Sequence, residues 1–404
     1  MLIYLISRPL SPPSDALTVA LPELDFSAFL AAVLSSSIAD ELKEEPRTTF
    51  LIPENDGFKR LGVLVSKYLL SASSKADLEN VIQHHILGEV EYTRSLQNGS
   101  QKSFSTLEGS EVRVDRSANG SVTISASGGW AGMTSSVTPK NLLTETGVVH
   151  QLSDVLLPRS VDITIGKLVK AADGSTMASM LIRAGMEWVL NGTAPPEGSP
   201  WAEAGMDGIG WTLLCPTDDA FKSFNLTRLF EDVGSLQSIV EQHLIPISRP
   251  HALYLAGLES TRTNKPLLLE DSATYTTLRS NTSAYGDIIF RQSGSGNGKD
   301  ETGFLVGIKD ARGQAGTEGG AHVLTWGRTT SNGGVGGVIQ IDSVLVPYYP
   351  SWWHEYGAPI GVGIIGVALI GFFFLGVRAF WRRDTTEATY EPVGGFTNED
   401  DEEP

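Results

Sequence analysis

The sequence predicts an α+β protein built from two tandem repeats, then one apolar helix long enough to cross a membrane, then a disordered acidic tail. Three internal matches carry the repeat. The stretch GVVHQLSDVLLP at Gly147–Pro158 returns as GGVIQIDSVLVP at Gly336–Pro347, with Val149, Gln151, Leu152, Val155, Leu156 and Pro158 meeting Val338, Gln340, Ile341, Val344, Leu345 and Pro347. Each copy is a short β-branched run closed by proline, the pattern of a strand buried in a sheet. Likewise TFLIPENDGFK at Thr49–Lys59 is answered by TLLCPTDDAFK at Thr212–Lys222, and LENVIQHHI at Leu78–Ile86 by LQSIVEQHL at Leu236–Leu244. Opening strand, helix, histidine at a helix end and closing strand recur in one order, so the unit repeated is a domain.

In chain order, residues 1–14 come first. Ile3–Pro12 is a fainter copy of the closing strand, and 1–14 is expected to be the remnant of a preceding repeat, with a signal peptide upstream of it. Phe26, Phe29, Leu30, Val33 and Leu34 fall at helical spacing, so an amphipathic helix capped by Asp25 or Ser27 is expected to run on to Leu42. Met177, Met180, Leu181 and Met186, capped near Ser175 and ending at Leu190, are its equivalent in the second repeat. Each helix leads to its opening strand, through a surface loop at Gly192–Gly210 in repeat two. Val112 and Val114, then Val122 and Ile124, alternate around Asn119-Gly120, a hairpin signal. The matching region of repeat two, 286–337, holds fifteen glycines and reads as a loop-forming insertion.

Tyr348, Tyr349, Trp352, Trp353 and Tyr356 lie in the aromatic segment 348–357, ahead of twenty uncharged residues at 358–377. At about 1.5 Å per residue these span roughly 30 Å, the thickness of the hydrocarbon layer. Arg378, Arg382 and Arg383 come next, which predicts a cytosolic C-terminus. The tail 378–404 carries three basic and eight acidic residues and is expected to be disordered. Within it Tyr390-Glu391-Pro392-Val393 fits a tyrosine sorting signal. A sorting adaptor would bind it extended, with Tyr390 and Val393 in two pockets.

The formal charge of −17 excludes a nucleic-acid partner, which demands a basic footprint. Cys215 is the only cysteine, so no intrachain disulfide forms, and its place in the opening strand reads as packing. Five N-x-S/T acceptors, at Asn98, Asn119, Asn191, Asn225 and Asn281, all precede the apolar helix, which predicts a glycosylated extracytoplasmic side. No metal, cofactor or catalytic residue is predicted. The adjacent pair His84-His85 cannot face one point on a helix, and neither HExxH, CxxC, GxSxG nor a phosphate loop occurs. The paired carboxylates Asp218-Asp219 read as caps at a helix start.

The three matched motifs resemble those of the fasciclin family: a Thr-apolar-Pro opening that ends in Ala-Phe, a Tyr-His pair midway, and a Gly-Val-Val-His ending with Asp and Val-Leu-x-Pro. The resemblance covers nearly all of residues 15–347. It implies a β-rich wedge with packed helices for 15–158 and for 159–347, and Phe58, His85, His150, Phe221 and His243 as core positions of the family motif. The family tyrosine belongs to a proposed receptor contact, and this chain has His84 and Gln242 in its place. The resemblance further implies an adhesion or extracellular interaction module. Joined to the apolar helix, the sequons and the arginines, it predicts a non-enzymatic, membrane-anchored, single-pass type I tethering protein, and the glycine-rich loops with the anchor suggest a fungal form, at the cell surface or the vacuolar membrane. Its ligand would be a protein or a glycan. The alternatives are a vacuolar or endosomal protein assisting organelle docking or fusion, and a glycan-directed hydrolase, for which no site is found.

Overall fold

A computed structural model describes residues 11–130, 133–247, 264–293, 303–311, 319–331 and 334–383, with Leu5, Ser7 and Pro9. Half of residues 1–14, expected to be a remnant of a preceding repeat, the two glycine-rich tracts at 294–302 and 312–318, and the Tyr390–Val393 motif lie outside the described residues.

In the first domain the helices are α1 (Ala16–Ala20), α2 (Ser27–Ser35), α3 (Ala39–Glu44), α4 (Asn55–Leu61), α5 (Val63–Leu69) and α6 (Lys75–His84). Its strands are β1 (Thr48–Pro53), β2 (Ile86–Leu87), β3 (Gln101–Ser105), β4 (Glu111–Arg116), β5 (Val122–Ser125), β6 (Thr134–Leu143) and β7 (Gly147–Leu152). The second domain carries α7 (Ile165–Ala171), α8 (Ser175–Arg183), α9 (Glu187–Asn191), α10 (Pro200–Glu203), α11 (Leu226–Glu231) and α12 (Val233–His243). Its strands are β8 (Gly210–Pro216), β9 (Leu244–Ile247), β10 (Thr274–Tyr275), β11 (Ile288–Ser293), β12 (Gly303–Ile308), β13 (Ala321–Arg328) and β14 (Gly336–Ile341). A last helix, α13, runs from Trp352 to Arg383.

The opening and closing strands matched in sequence are neighbours in space. β1 pairs parallel with β7, Phe50 beside Val149, and β8 pairs parallel with β14, Leu213 beside Val338. A parallel pair inside the sheet is covered on both faces, which is why these strands are apolar throughout and not alternating. The remaining strands give the orders β2-β1-β7-β6-β5-β4-β3 and β10-β11-β12-β13-β14-β8-β9. In the first domain the sheet curls until its edges meet: Leu107 N–H donates to Ile86 O (2.9 Å) and Gly88 N–H to Ser105 O (3.2 Å). This closes the sheet at the C-terminal end of β3. The hairpin read around Asn119-Gly120 joins β4 to β5, with Arg116 opposite Val122. Val112, Val114, Val122 and Ile124 point inward with Phe104 and Leu51.

Three local expectations are corrected. The helix read from Phe26 to Leu42 is a 3₁₀ turn followed by α2 and α3, and Leu34 is 57% exposed while Phe26, Phe29, Leu30 and Val33 are buried. Neither Asp25 nor Ser27 caps α2. Asn55 does so from the start of α4, its Oδ1 accepting from Ala28 N–H at 2.8 Å. Asp218, the matching residue of repeat two, accepts from Ser175 Oγ (2.6 Å) and from the N–H groups of Ser175 (3.3 Å) and Thr176 (2.8 Å) at the start of α8. The carboxylate expected to cap its own turn caps a neighbouring helix, because the N-terminal turn of α8 abuts the strand end that carries it.

The glycine-rich region 286–337 is likewise not loop throughout. It carries β11, β12, β13 and the start of β14, and buries Ile288, Phe290, Phe304, Val306 and Ala321 in a second-domain core. Its glycines permit close approach: a Cβ on Gly320 would lie 2.7 Å from Val306 O, and one on Gly337 would clash with Gly327 O.

The two domains share one continuous core. Helix α5 packs against α7 and β13, where a Cβ on Gly327 would lie 2.9 Å from Leu64 Cβ and 3.1 Å from Leu168 Cδ2. Around this contact Lys67 meets Asp173 at 2.6 Å and Lys167 meets Asp77 at 2.8 Å. The connector is fastened by a reciprocal pair, Ile163 N–H to Thr330 Oγ1 (2.7 Å) and Thr330 N–H to Ile163 O (3.0 Å).

Separately, within α13, Tyr356–Arg382 is long and apolar enough to cross a membrane by length and composition. Its 27 residues reach about 40 Å at the helical rise, longer than a hydrocarbon layer of ~30 Å. Trp352, Trp353 and Tyr356 stand exposed at one end and Trp381 at the other.

Candidate functional site

The histidine at each helix end fastens that helix to the segment after the closing strand. His85 Nδ1 bonds to Val81 O at 2.7 Å, and its Nε2 accepts from Leu156 N–H at 2.9 Å. In repeat two His243 does the same with Ile239 O (2.7 Å) and Leu345 N–H (3.1 Å). One nitrogen must donate to a carbonyl and the other must accept from an amide, so both rings are neutral with the proton on Nδ1. Burial pushes the pKa of His85 down to about 3 and that of His243 to about 4, against the carbonyl bonds that favour the charged form. The Phe29 ring lies 5.4 Å from that of His85.

The preceding residues, His84 and Gln242, are both fully buried. Neither presents a surface at the position where the family has its tyrosine. Gln242 Nε2 donates to Gly286 O (2.9 Å). His84 Nδ1 lies 3.0 Å from Ser110 Oγ and 3.4 Å from Glu108, and burial lowers its pKa to about 4 although Glu108 opposes the shift. His150 is also buried, with Nε2 at 2.8 Å from Glu91 O. Phe58 and Phe221 are core residues at 8% and 1% exposure. Cys215 is fully buried, and burial raises its thiol to about 12, so it is not a nucleophile at neutral pH.

All five sequon asparagines are exposed. Asn98 and Asn119 sit beside the tips of the first sheet, Asn191 ends α9, Asn225 caps α11 through Arg228 N–H at 3.1 Å, and Asn281 ends a 3₁₀ turn. Among the described residues no group of three His, Cys, Asp or Glu side chains could hold a metal ion.

Sequence reasoning missed a groove of about 1050 Å³ at the domain junction. Ser103, Arg113, Ser125 and Thr134 line it from one row across β3, β4, β5 and β6, each directly opposite the next. The connector contributes Pro158, Arg159, Val161 and Asp162, and the second domain Gly192, Thr330 and Ser331. Beneath the row, Ser127 Oγ donates to Ser110 Oγ (3.0 Å) and accepts from Arg159 N–H (3.2 Å), while Ser110 donates to the Glu108 carboxylate. Ser331 Oγ donates to Asp162 at 2.6 Å. The alternating polar positions were visible in the strands; their alignment into one row depends on register.

Comparison with known proteins agrees with the two-domain architecture. The fasciclin domain model matches residues 24–158 and 172–293. Human periostin is 25% identical over 225 residues, 56% of this chain and 23% of periostin. A fasciclin-like arabinogalactan protein of Arthroderma benhamiae is 27% identical over 160 residues, 39% of this chain and 34% of the relative. Transforming growth factor-beta-induced protein ig-h3 of Sus scrofa is 24% identical over 221 residues, 54% of this chain and 28% of the relative. The chain thus spans 23% to 34% of the length of these relatives. In the structure, β14 completes the second sheet beyond the second match by pairing with β8. The chain belongs to the fasciclin domain family, with two tandem copies of the domain.

Proposed function

We propose that this chain is a non-enzymatic, membrane-anchored adhesion or tethering module, with its fasciclin pair on the extracytoplasmic side. Fasciclin domains are adhesion-related extracellular modules, and the observation that carries the reading is that both domains share one core, which we take to hold them as a rigid pair. A rigid pair presents a fixed surface, so a ligand bound across it does not have to order a hinge. The helix Tyr356–Arg382 would hold the pair at a bilayer, with Arg378, Arg382 and Arg383 toward the cytosol. Five exposed sequons on one side of that helix support a type I glycoprotein.

Beads coated with the full-length chain should cluster with one another or with host cells. Beads that stay dispersed in both mixtures would remove the adhesion reading. Topology is tested separately: glycosidase should increase the gel mobility of protein from its native host, and an unchanged band would remove the glycosylated ectodomain. The sequence motif Tyr390–Val393 favours a second reading, a vacuolar or endosomal location serving organelle docking. Under it a tagged Tyr390→Ala chain should shift to the plasma membrane, and identical placement of variant and parent would leave the tail without a sorting role.

A further inference from the structure

We propose that the groove at the domain junction is a saccharide-binding cleft that takes a short, uncharged oligosaccharide; the proposal rests on the adhesion reading and names its ligand class. Size comes first, since about 1050 Å³ lies just above the roughly 300–1,000 Å³ of small-ligand sites and leaves room for several sugar units. Chemistry comes second. The row Ser103, Arg113, Ser125 and Thr134 sets three hydroxyls, each donor and acceptor, beside a guanidinium that only donates and is steadied by Asp115 at 3.3 Å, so a sugar's hydroxyls would meet both kinds of partner along it. Charge then narrows the class. The lining holds two cations, Arg113 and Arg159, and two carboxylates, Glu111 and Asp162. A polyanion gains nothing from a balanced lining, and the chain's charge of −17 repels it.

A peptide fits less well. Protein interfaces centre on an accessible aromatic or aliphatic anchor, and the aromatic of this groove, Trp130, is 6% exposed with the Arg328 guanidinium 5.7 Å from its ring. The floor is also preorganised. Ser127 is held between Ser110 and the Arg159 amide, Ser110 is held by buried Glu108 and His84, and Thr330 and Ser331 tie the far wall to the connector.

The saccharide could arrive on another molecule, or it could be the chain's own glycan. Asn191 directly precedes Gly192, which lines the groove, so a glycan on Asn191 would stand at its rim.

The test uses the full-length chain in detergent, made in its native host, and an Asn191→Gln variant. Each is titrated by saturation-transfer NMR with neutral gluco-, manno- and galacto-tetrasaccharides and a sulfated tetrasaccharide as control. At least one neutral tetrasaccharide should bind at millimolar concentration or tighter, with the sulfated one weaker. Arg113→Ala should weaken binding about tenfold, the worth of one hydrogen bond to a charged group. Ser125→Phe, which fills the floor from an accessible strand face, should abolish binding with melting unchanged.

Equal binding by both chains supports a ligand in trans, and binding seen only with Asn191→Gln supports the resident glycan. No binding by either chain, preference for the sulfated sugar, or binding that survives Ser125→Phe overturns the proposal. Bead clustering without saccharide binding removes only the cleft, and saccharide binding without clustering removes only the adhesion reading.

Discussion

At the scale of the residue, two aromatic anchors and two neutral imidazoles hold equivalent places in the repeats. Phe221 is 1% exposed and packs with Phe224 at 5.9 Å. Truncation to Ala removes that side chain from a core that cannot collapse around the gap, and should cost about 3–5 kcal/mol. Chemical denaturation checks this, and an unchanged midpoint would show that the position is not a core anchor. The histidines set a pH dependence. Their folded pKa values, about 3 for His85 and about 4 for His243 and His84, lie below the ordinary 6.5. Between those values the unfolded chain binds more protons, so stability is complete above pH ~6.5 and declines as pH falls toward 4. His85, His243 and His84 each lose about 1.4 kcal/mol per pH unit in that window, or ~2 kcal/mol by pH 5. The melting temperature should therefore fall steadily from pH 7 to pH 5. A flat profile would mean that the imidazoles are not held neutral. Zinc binding is not expected of His85, and stoichiometric zinc lost on His85→Ala would contradict its role as a staple.

At the scale of the element, helices are terminated and started by residues distant in sequence. Asn55 and Asp218 occupy one place in the repeat and satisfy first-turn amides of α2 and α8 respectively. Burial alone would raise the Asp218 carboxyl, but the hydrogen bonds from Ser175 and Thr176 hold it below the ordinary carboxylate value. Asp218→Ala should cost about 1–2 kcal/mol, as loss of an N-cap does, while Asp218→Asn keeps an acceptor and most of the stability. Urea unfolding of the two variants decides it: equal stability of Ala and Asn would show that the cap contributes nothing. The glycine-rich strands obey the same logic of contact. Composition argues for loop, but Phe304, Val306 and Ile308 alternate along a strand paired over its whole length with β11 and, at Leu305 and Val306, with β13 as well, and pairing prevails.

At the scale of the whole molecule, the junction between domains is the decisive feature. Leu64 and Leu168 close over Gly327, and no side chain larger than hydrogen fits there. The two domains should therefore unfold in one calorimetric transition, and Gly327→Val should split it into two or lower it by forcing the helices apart. Two transitions already present in the parent chain would show that the shared core does not couple the domains. The same junction creates the groove, since its lining comes from the first sheet, the connector and the second domain together.

By itself the sequence determined the repeat, the apolar closing and opening strands, the hairpin at Asn119-Gly120, the core phenylalanines and the membrane-length helix. These are local signals: periodicity, turn chemistry and uninterrupted apolarity are properties of contiguous residues. Tertiary structure alone decided the rest. That β1 lies parallel to β7, that Asp218 caps α8, that His85 accepts from Leu156, and that Ser103, Arg113, Ser125 and Thr134 form one row all depend on which distant segments meet. A one-residue slip in register would turn that row to the opposite face. The groove was illegible for the same reason: a concavity belongs to the docking of two domains, and that docking is fixed by contacts such as Leu64 on Gly327, which no single stretch of chain contains.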